Sequence, residues 1–323
     1  MEQPARSCRG ARPRDCSIVS DTAPPHALLR PRIVLPFLLI ALIWGSTWLV
    51  IKDQVGSVPP SWSVTWRFAL AALGMAALAL VRRERLALDR TGHLFAMAIG
   101  LTQFCMNFNL VYRAEQYVTS GIVAVLFALL MLPNALLGRL FLGSSVTPRF
   151  MAGTGIALAG IALMLVHEAR LADLGGTVWL GVGLTCIALL SASCANVMQA
   201  APSALGQPMV VMLAFAMGWG ALFDAALAWI TSGPPVLPLD VRYLGGVAYL
   251  AIVGSVVTFP LYFQLIREIG PGRAAYNGVM VPVVAMILST LFEGYRWSAL
   301  AGAGAALALL GLVVALRARN PAR

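Results

Sequence analysis

Two charged side chains, Arg67 and Asp224, stand inside long apolar stretches of this chain. A charge among apolar residues costs several kcal/mol unless it pairs or faces water, so each is a functional candidate by default. A guanidinium can orient a carboxylate through two parallel hydrogen bonds. A carboxylate can neutralise a cation or carry a proton. Polar amides supply a second constellation: Gln103 and Asn107 lie four residues apart, with Asn109 two further on, while Ser193, Asn196 and Gln199 recur every three. On a helix such spacing puts Gln103 and Asn107 on one face and the second trio on another. These stripes either glue helices together or line a cavity for a zwitterion. Trp44 has the type to stack on an aromatic or cationic solute. Tyr276 and Asn277 precede Gly278, and Pro282 removes a helical donor, so this region reads as a broken-helix substrate contact.

The elements that hold these groups follow from composition. Of 323 residues, 59% are hydrophobic and 11% charged, with a mean hydropathy of +0.82. A soluble domain carries about 25% charged residues, which excludes a water-soluble enzyme. Ten apolar runs fall at about 33–51, 62–81, 92–111, 118–141, 149–166, 177–198, 208–230, 244–265, 274–292 and 298–316. At about 1.5 Å per residue each crosses, or nearly crosses, a hydrocarbon core of about 30 Å. Backbone groups in lipid must be satisfied within their own segment, so the expectation is an all-α integral membrane protein with ten transmembrane helices. The preceding residues 1–32, rich in Pro and Arg, read as a disordered basic cytoplasmic head.

The net charge of +10 is explained by topology rather than by nucleic acid. With the amino terminus inside, sixteen of the 23 Lys and Arg fall on the inner side and five on the outer, leaving Arg67 and Arg139 within spans. Both termini are therefore expected in the cytoplasm. In that register Arg67 sits about 8 Å, and Asp224 about 9 Å, below the outer surface. They occupy matching second helices of two halves, and are expected to pair or to face the outer vestibule together, with Asp224 neutralising charge or coupling protons. The halves themselves are visible as a repeat: a shift of 151 positions aligns Gly121 with Gly272, Phe141 with Phe292, Gly153 with Gly304 and Gly160 with Gly311. Each copy holds five spans, an odd number, so the copies must face opposite ways, as in many secondary transporters. The domains are 33–166 and 177–317.

Several short motifs, in order along the chain, resemble a known family. They are Ile43 to Lys52 with its Trp-Gly-Ser-Thr core, Pro59-Pro60 with Trp66-Arg67-Phe68, Glu115 to Gly121, Arg139 to Gly143, Gly270 to Tyr276, Pro282, and Phe292 to Trp297. Together they are similar to the drug/metabolite transporter superfamily, specifically its EamA-like ten-helix members, over roughly 33–317. The chain departs from that pattern in placing the fourth-helix proline at Pro133 and Ser144-Ser145 after Gly143. The resemblance implies two inverted five-helix EamA repeats in a bacterial inner membrane, and export of an amino acid or another small metabolite or drug-like solute.

The expectation is therefore a secondary transporter working by alternating access. An uptake permease of the same fold, a channel and a membrane-embedded enzyme are the alternatives. The chain carries no GxxxxGK[ST] phosphate loop, HExxH or GxSxG. No enzyme activity, cofactor, metal or nucleic acid is expected; the partners are a small-molecule substrate and the lipid bilayer. Substrate-binding candidates are Trp44, Arg67, Gln103, Asn107, Asn196, Tyr276 and Asn277, with Asp224 for coupling. Small residues at Gly153, Gly155, Gly160, Gly302, Gly304 and Gly311 suggest close helix approach, a homodimer face being the alternative.

Overall fold

The computed structural model describes residues 31–56, 58–118, 120–144, 147–171, 178–292 and 298–316. The expected disorder of the head up to residue 30, and the motif at 293–297, lie outside the described residues. Every regular element within them is helical. The longer runs are α1 (Pro31–Val55), α2 (Pro60–Val81), α3 (Arg90–Ala114), α4 (120–142), α5 (Pro148–Leu171), α6 (Val178–Gln199), α7 (Met209–Ser232), α8 (Val241–Ile269), α9 (Asn277–Phe292) and α10 (Ala299–Leu316). Among the described residues, seven of them, all but α5, α9 and α10, are long and apolar enough to cross a membrane. Leu73, Leu80, Leu136, Phe141, Ile230 and Leu291 present side chains that are 61% to 82% exposed. Such an apolar surface is stable against lipid tails and not against water. The chain is a multi-pass membrane protein.

Helix starts are set by ordinary capping chemistry. Pro60 occupies the first turn of α2, where its missing N–H costs nothing. The Asp89 carboxylate accepts the Gly92 amide at 2.6 Å to open α3, and Asp240 accepts the Tyr243 amide at 3.1 Å to open α8. These caps are 151 residues apart, the same interval as the glycine repeat. Each of the two helices then widens into a π-helical stretch, Gly100–Asn107 in α3 and Tyr249–Val257 in α8. π segments are rare and often lie at functional sites, because they change the angular position of every later side chain and loosen the carbonyl ladder.

Prolines act locally. Ahead of Pro133, α4 tightens to a 3-10 turn over Ala128–Leu130, which accommodates the hydrogen bond the proline cannot make. Pro282 differs from expectation: it lies inside a continuous α9, and the helical path breaks earlier, at 275–276, between the short helix Pro271–Ala274 and Asn277.

Helices α5 and α10 pack most extensively of all. A Cβ on Gly153 would lie 2.5 Å from the Ala315 amide nitrogen, and one on Gly304 would lie 2.8 Å from the Gly160 carbonyl oxygen. Only glycine allows backbones this close, so Gly153, Gly160, Gly304 and Gly311 are spent on contact between these two helices, whereas Gly155 and Gly302 have nothing within 4 Å of their Cβ positions.

Candidate functional site

A constellation of buried polar side chains surrounds a cavity with about 750 Å³ of space between protein atoms, part of it open to solvent. It is lined from α1 (Trp44, Thr47, Trp48, Ile51), α2 (Arg67), α3 (Gln103, Asn107, Phe108, Val111), α4 (Phe127, Leu130), α6 (Ala192, Asn196), α8 (Phe259, Tyr262) and α9 (Gly278, Val281). Five of the expected substrate residues therefore meet on one cavity: Trp44, Arg67, Gln103, Asn107 and Asn196.

Arg67 is only 1% exposed. Its Nε donates to Ser255 Oγ at 3.2 Å and its Nη2 to the Gly254 carbonyl at 3.5 Å. Its guanidinium carbon lies 4.5 Å from the centre of the Phe108 ring and 5.2 Å from that of Phe68. Cation–π attraction of this kind is stronger out of water and holds the fork in one orientation. Both polar anchors belong to the π segment of α8, so the widened helix is what offers them. The Gly254 carbonyl is a junction: it also accepts from Thr258 Oγ1 at 2.7 Å and from Trp44 Nε1 at 3.4 Å. Trp44 Nε1 donates in addition to Thr258 Oγ1 at 3.0 Å, which leaves the indole as a wall of the cavity and its N–H engaged by protein.

Four polar atoms of lining residues are buried with no protein partner: Trp48 Nε1, Arg67 Nη1, Asn107 Oδ1 and Asn196 Oδ1. Buried polar groups are normally paired, since leaving one unpaired costs about 1–3 kcal/mol. Two donors and two acceptors of lining residues are thus left over, and the Tyr112 hydroxyl, also unpartnered, stands beside the Arg67 guanidinium. The Asn196 amide is oriented by its Nδ2, which donates to Asn134 Oδ1 and Tyr262 Oη, both at 3.4 Å.

Three expected residues stand elsewhere. Asp224 is fully buried, but it does not line the cavity and does not meet Arg67; its Oδ1 accepts the Asn109 amide at 2.6 Å, and Oδ2 has no partner. Equal depth on matching helices says nothing about the direction in which each side chain turns, and the expected pairing assumed that it did. Among the described residues the ion pair is Arg242–Asp53, joining the start of α8 to the end of α1. Tyr276 lies behind the lining, sharing a hydrogen bond of 2.6 Å with Thr154. Asn277 donates to the Phe37 carbonyl at 2.6 Å and fastens α9 to α1. At this broken helix the cavity meets Gly278, whose carbonyl Pro282 cannot satisfy. The backbone, not the two neighbouring side chains, makes the contact.

Trp48, Thr47 and Ile51 were legible but overlooked: with Trp44 they form one stripe at spacings of three, four and seven. Phe108, Phe127, Phe259 and Tyr262 carried no comparable signal, because an aromatic in an apolar run looks the same whether it faces a cavity or a neighbour.

Just beyond α3, both Glu115 carboxylate oxygens are buried without a partner. Burial pushes this carboxyl from 4.5 up to about 8, with Lys52 pulling the other way. Its contribution to stability is complete below the unfolded value and is lost as pH rises through about 8. Wild-type protein in detergent is expected to lose melting temperature between about pH 5 and about pH 8.5, while Glu115→Gln holds nearly level. Parallel profiles for the two proteins would remove this account of Glu115.

Comparison with known proteins agrees with this geometry. Residues 32–166 and 179–317 each match the EamA-like transporter family. Protein PagO of Salmonella typhimurium is 26% identical over 287 residues, covering 88% of this chain and 92% of that protein. The inner membrane transporter YedA of Escherichia coli K12 is 31% identical over 256 residues, 78% and 80% of the two chains. A protein named "Probable amino-acid metabolite efflux pump", also from Escherichia coli K12, is 26% identical over 290 residues, 86% and 92%. One crystal structure shares the fold with a TM-score of 0.68 at 21% identity, covering 87% of this chain and 95% of that one. With two family matches spanning most of its length, the chain belongs to the EamA-like transporter family and is a secondary transmembrane transporter.

Proposed function

We propose that the chain exports a small metabolite, such as an amino acid, across a bacterial inner membrane, by alternating access between two inverted five-helix halves that together make ten spans. Both termini lie in the cytoplasm on this reading, which the excess of Lys and Arg on the inner side supports. The observation that carries it is the composition of the cavity: Trp44, Arg67, Gln103, Asn107 and Phe127 come from the first half, and Asn196, Tyr262 and Gly278 from the second. A site between repeats opens to either side when one half rocks against the other. Arg67 spans that boundary, because its anchors Gly254 and Ser255 belong to the opposite half. The amino-acid class is suggested by the name of the Escherichia coli relative.

In this scheme Trp44, Arg67, Gln103, Asn107 and Asn196 bind the solute, and Asp224 couples protons from outside the cavity through the Asn109 on α3. Saturable counterflow of an amino acid or an amino-acid derivative in proteoliposomes, with no transport by empty vesicles, is the expected result; its absence across amino acids, their N-acyl derivatives and common drugs would end the exporter reading. Asp224→Asn separates binding from coupling. It is expected to keep solute exchange within about twofold while losing accumulation driven by a pH gradient, since exchange needs no net proton movement. Gradient-driven accumulation that survives the substitution would take Asp224 out of the coupling path.

A further inference from the structure

We propose that the solute recognised by this cavity is a net monoanion, a carboxylate on a flat apolar body, rather than a zwitterion or a cation. The inference rests on the transporter reading above and names the charge class of its substrate.

The first support is charge balance. Arg67 brings one positive charge to the lining, and no Asp or Glu stands there. Among the described residues no carboxylate lies within 4.0 Å of the guanidinium, and the buried Asp224 is held by Asn109 away from the cavity. A buried charge without a counter-charge is expensive, and its partner must come from somewhere. A bound monoanion makes the loaded cavity neutral. A zwitterion leaves the positive charge uncompensated, and a cation doubles it, which defeats the attraction that an aromatic cage would otherwise offer.

The second support is the set of unpartnered atoms. Arg67 Nη1 and Trp48 Nε1 are donors, the kind of group that carboxylate oxygens satisfy. Nε and Nη2 of Arg67 are occupied by Ser255 and Gly254, so the orientation of the remaining nitrogen is fixed before the solute arrives. The unpartnered acceptors, Asn107 Oδ1 and Asn196 Oδ1, are neutral amide oxygens. They suit a hydroxyl or an amide N–H on the solute, whereas a full ammonium charge next to Arg67 would call for a carboxylate. The third support is the wall: Trp44, Phe127, Phe259 and Tyr262 surround the polar groups with rings, which favours a flat apolar body. An aromatic hydroxy acid or an N-acylated aromatic amino acid has all three features.

The test uses three solutes with one ring system: N-acetylphenylalanine as anion, phenylalanine as zwitterion and phenylalaninamide as cation. Binding to the purified full chain is read by tryptophan fluorescence, since Trp44 and Trp48 line the cavity. N-acetylphenylalanine is expected to bind about tenfold or more tightly than phenylalanine, whose carboxylate makes the same contact but whose ammonium stands near the uncompensated Arg67, with phenylalaninamide weakest. Arg67→Gln should erase that preference. Asn107→Asp, which adds a negative charge to the lining, should move it towards the zwitterion, a gain that misfolding cannot imitate. Equal or tighter binding of phenylalanine or phenylalaninamide, an unchanged preference in Arg67→Gln, or no binding of the anion overturns the proposal. Counterflow in proteoliposomes separates the two levels. Saturable counterflow of phenylalanine without that of N-acetylphenylalanine sinks the charge class and keeps the transporter, whereas no saturable counterflow of either, or of any amino acid, sinks both.

Discussion

Arg67→Ala is expected to lower solute counterflow by about 10- to 100-fold while leaving the protein folded and inserted, the range that follows from losing about 1.5–3 kcal/mol of charge-assisted hydrogen bonding. The cause is local. Arg67 is the cation on the cavity lining, and its Nη1 has no protein partner. Alanine would also release the Ser255 hydroxyl and the Gly254 carbonyl, but each keeps a bond within α8: Ser255 Oγ donates to the Leu250 carbonyl at 2.8 Å, and Gly254 still accepts from Thr258. The second half therefore retains its local structure. Arg67→Lys should recover little activity, since a single ammonium cannot hold Ser255, Gly254 and a solute in the geometry of the planar fork. Because Arg67 and Asp224 share no hydrogen bond or ion pair, their effects on solute binding are expected to add to within about 0.5 kcal/mol in a double-mutant cycle. Wild-type counterflow in Arg67→Ala at matched protein content, or strong coupling with Asp224, would contradict this account.

The second large effect concerns stability. Gly311→Leu is expected to destabilise the protein by about 3 kcal/mol or more, the upper range for overpacking a close contact. A Cβ at this position meets the Ala157 amide nitrogen and lies 2.6 Å from the Gly153 carbonyl oxygen. Both obstacles are backbone, so no side-chain rotation relieves them, and α5 and α10 would have to separate along their length. Gly155→Leu is the control: it lies on the same α5, yet nothing stands within 4 Å of its Cβ position and the residue is exposed. Thermal unfolding in detergent should show a melting temperature well below wild type for Gly311→Leu and close to it for Gly155→Leu. Equal loss in both would mean that leucine is resisted by helix propensity or lipid contact, not by the α5–α10 approach.

These two positions show how differently sequence bears on fold and on site. Gly153, Gly160, Gly304 and Gly311 were recognisable as a repeated small-residue pattern, and the structure uses them for the close approach that such a pattern implies. The 151-residue interval reappears in the caps Asp89 and Asp240, and the paired π segments of α3 and α8 stand at nearly the same interval. The caps could have been read from the chain. The π segments could not, since nothing in Gly100–Asn107 or Tyr249–Val257 marks a widened helix. For the site, polarity at helical spacing found Gln103, Asn107 and Asn196, and charge inside an apolar run found Arg67. The charge rule also selected Asp224, and the broken-helix reading selected Tyr276 and Asn277; these turn towards Asn109, Thr154 and Phe37.

From the amino-acid order alone came the solvent, the succession of helices, the repeat and the short catalogue of polar groups worth inspecting. These are one-dimensional properties: hydropathy, run length and period are written in the chain and need no partner. The tertiary structure decided which of those groups share a cavity, which are spent on holding helices together, and that Arg67 rather than Asp224 lines that cavity. That choice depends on the rotation of each helix about its axis and on the neighbour it meets. In this protein the contacts that fix it join parts of the chain far apart in sequence: Arg67 of α2 meets Gly254 and Ser255 of α8, and Asp224 of α7 meets Asn109 of α3.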